Sequence, residues 1–254
     1  MIQMQDVTVF DMPVENVVYE HKVEFQNSPY SSYTLAYNVS NPQKVEIIPA
    51  ENKVISPVSQ YLIEKLNKGT VDEQERCLSY INKNLDTKSS AQYLDEELTK
   101  TLFALVDKDI SNLKDITSKQ KKLRLKQQDG KKLTDSEYKI AFTFSEKEKA
   151  EYNKVEAVYV IARIQNVLYK ALKKRTGLQP KLSDMPAVSG LVNEIKNNPS
   201  ENVRSASVAA LAAMYQPAFK DDLLYLLSDL NKNANSEYMK KQTVQAIKYI
   251  QSKK

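Results

Sequence analysis

From residue 56 onward, apolar residues recur at steps of three and four, the spacing that gathers them on one face of a helix. Ser56-Pro57 reads as an N-cap followed by proline at the first helical position, and Val58, Tyr61, Leu62 and Leu66 follow at helical period. Gly69 stops that helix, and Thr70 with Glu73 forms a capping box ahead of Cys77, Leu78, Ile81 and Leu85. A third helix carries Leu94, Leu98, Leu102, Leu105 and Val106. Thr134 with Glu137 repeats the box, and Leu133 and Tyr138 stand where a hydrophobic staple belongs. Ser145 with Glu148 repeats it again before a helix of roughly 30 residues that reaches Arg175 and stops at Gly177. This long helix has two apolar stripes: Ala157, Ile161, Ile164, Leu168 and Leu172, and Val155, Val158, Tyr159 and Ala162. The pattern predicts neighbours on more than one side.

Residues 1–53 read differently. The short alternating pieces "VTVF", "HKVEF", "YTLAYNV" and "KVEII" are separated by Pro13, Pro29, Pro42 and Pro49, which predicts an irregular, partly extended arm with short strands or no fixed structure. Three lysines face seven acids there, a net charge of −4.

The last third of the chain repeats itself. Val188, Leu191, Val192 and Ile195 reappear 35 residues later as Leu223, Leu226, Leu227 and Leu230. Val203, Arg204, Val208, Ala210, Leu211 and Met214 reappear 36 residues later as Met239, Lys240, Val244, Ala246, Ile247 and Ile250. Two helix pairs with matching faces at such a period predict stacked helical hairpins. "NPSENVRSASVAALAAM" (198–214) resembles the second helix of a HEAT repeat, Asp-Pro-x-x-x-Val-Arg-x-x-Ala-x-x-Ala-Leu. Pro199, Val203, Arg204, Ala206, Ala210 and Leu211 match, while Asn198 stands in place of the usual Asp. The resemblance covers 185–215 well, 216–251 fairly, 56–85 only suggestively, and 1–53 not at all. It implies an all-α, HEAT-like α-solenoid of antiparallel helix pairs over 54–254, with a basic insertion at about 109–133. Proteins similar in this way mostly serve as scaffolds or peptide-binding surfaces; a few are DNA glycosylases, and others are associated with bilin attachment.

At about 100° per residue, an inward face of Val203, Ser207, Ala210, Leu211 and Met214 puts Ser205, Val208 and Ala212 opposite. Their equivalents one unit on are Lys241, Val244 and Lys248. The resemblance implies that second helices line a concave surface, which makes these six residues candidates for partner binding. Alternatively, the valines touch a further helix or the N-terminal arm.

The inventory narrows the chemistry. The single histidine, His21, has no G-x-S-x-G elbow to serve, no Cys/His cluster has zinc spacing, and no glycine-rich phosphate loop occurs. Asp95-Glu96-Glu97 and Asp221-Asp222 read as solvated helix faces. The lone Cys77 excludes an intrachain disulfide and predicts a reducing, cytoplasmic location. The N-terminus has no signal-peptide pattern, and no apolar run approaches a membrane span. No catalytic residue, cofactor or metal is expected.

One segment stands apart: "SNLKDITSKQKKLRLKQQDGKK" (111–132) has eight Lys/Arg against two Asp. Leu113, Ile116, Leu123 and Leu125 give it a thin apolar stripe, and Asp129-Gly130 marks a turn. Lys119, Lys121, Lys122, Arg124, Lys126, Lys131 and Lys132 are candidates for binding phosphates or an acidic partner. The same pattern also suits a solvated helix, or a surface that receives the acidic arm of its own chain or of a second subunit. No aromatic is interleaved in the segment itself. The expected function is a non-catalytic scaffold or adaptor for an unidentified, conceivably acidic, protein. A nucleic-acid-binding protein that uses 119–132 is the alternative, and a HEAT-like lyase or glycosylase the third.

Overall fold

The computed structural model describes residues 56–253, and within 1–55 three short strands: β1 (Val18–Tyr19), β2 (Ala36–Asn38) and β3 (Val45–Glu46). They pair antiparallel in the order β1-β2-β3. Otherwise the expected N-terminal arm, His21 included, lies outside the described residues.

Over 56–253 the chain is all-α. The helices are α1 (Pro57–Lys68), α2 (Val71–Asn84), α3 (Glu96–Asp107), α4 (Ser118–Gln128), α5 (Asp135–Phe142), α6 (Glu146–Thr176), α7 (Ala187–Asn197), α8 (Glu201–Ala213), α9 (Lys220–Lys232) and α10 (Glu237–Ser252). Their ends follow the local chemistry. The Ser56 side chain accepts from the Ser59 amide, and Thr70, Thr134 and Ser145 each close a reciprocal box with the glutamate three residues on. Thr117 closes another with Gln120. Gly177 ends α6 with φ +69°, a conformation in which other residues would be strained. Asp95 caps α3 and Glu96 and Glu97 fill its first turn, as Asp221 and Asp222 do in α9. There negative charge complements the positive end of the helix dipole.

The long helix α6 is the axis of the core. It packs against α2, α3, α7 and α8. Ala157, Val158, Val160, Ile161, Ala162 and Ile164 are sealed from water, which accounts for its double stripe; of the other expected positions Val155, Leu168 and Leu172 are half-buried and Tyr159 is exposed. None of the described helices is both long and apolar enough to cross a membrane.

The two repeated pairs are α7–α8 and α9–α10, and the second helices, α8 and α10, pack on each other. Leu191 and Ile195 are buried in α7, as are Leu227 and Leu230 in α9. The turn between α7 and α8 is locked by its own polar groups. Asn198 Nδ2 donates to Glu194 Oε2 at 2.7 Å, Asn198 Oδ1 accepts from the Ser200 amide, and Arg204 donates to the Asn198 carbonyl at 2.7 Å. In the second pair Lys240 replaces Arg204 and makes the pairing within its own helix, to Glu237, that Arg204 makes to Glu201, without the bond to the turn. The apolar pattern repeats, whereas the polar lock of the first turn does not.

Candidate functional site

The face of α8 expected to be open is closed. Val208 is 1% exposed and Ala212 5%, and both belong to the core. The reason is that α8 has three large neighbours, α6, α7 and α10, so only a narrow strip reaches solvent. Ser205 lies on that strip, half-buried, with the Tyr238 hydroxyl of α10 at 3.5 Å. The equivalents in α10 are open: among the described residues that helix packs chiefly on α8 and α9, and Lys241, Val244 and Lys248 are all exposed. The six candidates therefore do not form one ladder, and only the three on α10 present an open face.

The basic segment folds into a hairpin of α4 against α5. Gln120 and Leu123 face inward, and the Gln120 amide donates to the Thr143 carbonyl. Arg124 turns back into the protein: Nε donates to the Ala141 carbonyl at 2.7 Å, and both terminal nitrogens grip the Glu148 carboxylate. The Arg124 guanidinium holds the Glu148 carboxyl down at about 2. Lys126 pairs with Glu137 at 2.9 Å. Two of the seven candidate cations are thus structural, clamping the hairpin to itself and to the start of α6. Lys119, Lys121, Lys122, Lys131 and Lys132 are exposed and make no ion pair among the described residues. Lys131 and Lys132 rim a hollow of about 300 Å³ with Gln127, Gly130, Leu133 and Tyr138. Tyr138 is 53% exposed, and its ring lies 4.7 Å from that of Phe142, one turn further along α5.

A groove missed in the sequence lies between α1 and α2, with a volume of about 660 Å³. Val58, Tyr61, Leu62 and Lys65 line it from α1, and Glu73, Arg76, Cys77 and Tyr80 from α2. Both helices use the same offsets of zero, three, four and seven, so each contributes one stripe. Leu62 and Cys77 form the buried floor, while Tyr61 and Tyr80 stand up as exposed walls. Lys65 and Glu73 pair at 2.8 Å across the groove. Arg76 makes no ion pair among the described residues and leaves a cation at the rim. The signal available in the sequence was these two aromatics on faces that otherwise read as core.

Burial pushes the Cys77 thiol up, away from thiolate character. Burial likewise raises the Glu194 carboxyl, with Asp107 at the end of α3 adding to the rise, while the Asn198 amide opposes it. Tyr93, wholly buried, is pushed up to about 12 chiefly by its burial. Among the described residues no three His, Cys, Asp or Glu side chains converge as metal ligands. Compared with known protein families, curated proteins and solved structures, the chain shows no match to any of them.

Proposed function

We propose that the protein is a non-catalytic adaptor built on a HEAT-like solenoid, and that the groove between α1 and α2 is where it holds a protein partner. The observation that carries this reading is the groove itself: an apolar floor of Leu62 and Cys77 between two exposed tyrosine walls. Concave, mostly apolar sites with a few placed polar groups are the usual form of binding sites, and tyrosine is enriched at interfaces because it offers area at low entropic cost. Arg76 at the rim calls for an acidic residue beside the partner's apolar anchors. The occupant that fits is an amphipathic segment carrying at least one carboxylate. The resemblance of 198–214 to HEAT repeats supports the same class of function, as does the stacking of α8 on α10.

The test is site-specific photo-crosslinking in the native cell, with benzoylphenylalanine at Tyr80 and, as a control, at the more exposed Tyr225 of α9. The expected result is one protein adduct from position 80 that is absent from 225 and lost when Arg76→Glu is added. Melting curves should show the Arg76→Glu variant folded. No adduct at 80, the same adducts at both positions, or an intrachain adduct to residues 1–55 would each overturn the reading.

A further inference from the structure

We infer that the α4–α5 hairpin is a binding site for single-stranded nucleic acid, separate from the groove and independent of it. The reading starts from what the fold does with charge. Between residues 117 and 139 the chain has eight Lys/Arg and three acids. Folding consumes Arg124 and Lys126 internally, so that the remaining lysines are held outward by a clamped scaffold. Lys119, Lys121 and Lys122 are exposed within the first five residues of α4, and Lys131 and Lys132 are exposed in the turn beyond its far end. An eleven-residue helix spans about 16 Å, the length of a few nucleotides. The positive end of the α4 dipole lies beside Lys119, Lys121 and Lys122, at the other end of the helix from Lys131 and Lys132. Its first turn contains no acid, because Gln120 closes the capping box where glutamate does so in α2, α5 and α6.

Charge alone would accept any polyanion; the aromatic rings decide between them. Sequence 111–132 holds none, yet the hairpin brings Tyr138 of α5 into the same hollow as Lys131 and Lys132. Tyr138 and the neighbouring Phe142 form a partly exposed two-ring step. Lysines beside an exposed ring are the elements with which single strands are held without sequence preference: cations track the phosphates and the ring stacks a base. A duplex keeps its base faces covered and gains nothing from Tyr138. A bilayer is the poorer occupant: beside the rings of Tyr138 and Phe142, α4 adds only Leu125 as an exposed apolar residue, which is not the apolar face of an interfacial helix.

The experiment is fluorescence anisotropy with a labelled oligothymidine of ~12 nucleotides, within the usual range of single-strand site sizes. A duplex of equal length, poly-glutamate and phosphatidylserine vesicles are run in parallel. The single strand should bind best, with affinity falling as salt rises. Tyr138→Ala should weaken binding by roughly 5- to 100-fold, as loss of one stacked base requires, and Tyr138→Phe should restore it. Lys131→Gln with Lys132→Gln should flatten the salt slope by about 1.4, at ~0.7 per lost phosphate contact on a single strand. These side chains are exposed, so thermal melts of the variants should overlay the parent. Failure to bind the single strand would overturn the proposal. So would indifference to Tyr138→Ala, or equal or tighter binding of the duplex, the poly-glutamate or the vesicles.

Discussion

A Cβ placed on Gly190 would stand 2.5 Å from Cζ of Phe103, so α7 meets this buried ring of α3 at the one point where it has no side chain. Gly190 is within a helix, where alanine would ordinarily be favoured by up to about 1 kcal/mol. Here the close approach outweighs that gain. We predict that Gly190→Ala lowers stability by about 1–3 kcal/mol, the usual cost of overpacking. Adding Phe103→Leu should recover part of the loss, a coupling that a double-mutant cycle of denaturant melts would read. Equal stability of Gly190→Ala and the parent would show that the ring has room to move.

Val208 and Val244 occupy equivalent positions of the repeat, but one is 1% and the other 37% exposed. Val208→Lys should cost about 3 kcal/mol or more, because a charge enters the region where α8 meets its neighbours with no partner. Val244→Lys should change stability by no more than about 0.5 kcal/mol. Thermal or urea melts of the two variants make the comparison, and similar losses would contradict the different surroundings of α8 and α10.

Glu194 is 2% exposed, with its carboxyl raised chiefly by burial. The native state therefore favours the protonated form. Its penalty is absent below the unfolded value near 4.5, grows as pH rises through the raised native value, and is constant above it. Glu194→Gln keeps an oxygen to accept from Asn198 Nδ2 and removes the charge. The variant should match the parent at low pH and exceed it in stability at neutral pH. Melting temperatures measured from pH 3 to pH 8 would show this crossover, and a constant difference would contradict it.

Glu148 shifts in the opposite sense, from 4.5 to about 2, with the Arg124 bond as its main cause. Its stabilising contribution is present above pH 4.5 and is lost as pH falls through the native value near 2. The pair is partly exposed, so the loss should be roughly 1 kcal/mol and local. Hydrogen exchange of the α4 and α5 amides, relative to the intrinsic rate at each pH, should become faster over this interval while that of α6 beyond its first turns does not. Arg124→Gln should bring the faster exchange to neutral pH. Unchanged exchange in that variant would mean the clamp does not hold the hairpin.

The helix starts were legible in the sequence because capping is local. Thr70, Thr134 and Ser145 each reach only three residues ahead, and the structure places their boxes as their spacing requires. The box of Thr117 was less legible because its partner, Gln120, is uncharged and lies within a lysine-rich run. The inward faces of α7 and α9 were legible too, since a 3.6-residue period marks whichever side is buried. In the repeated pairs, period did not say how many neighbours each second helix has. Val208 and Val244 share a place in the repeat, and only the packing of α8 between α6 and α10 seals the first while leaving the second open. Charge was likewise countable but not assignable: Arg124 reaches Glu148 and Lys126 reaches Glu137 only once the hairpin closes, 24 and 11 residues away along the chain. The same closure brings Tyr138 beside Lys131 and Lys132, and the pairing of α1 with α2 sets Tyr61 and Tyr80 around one groove. Local sequence thus determined where the helices begin and which side of each is apolar, because both depend on residues within a turn or two. What covers each face, which cations stay free and where the aromatics gather depend on contacts between segments distant in sequence, and only the tertiary structure decided them.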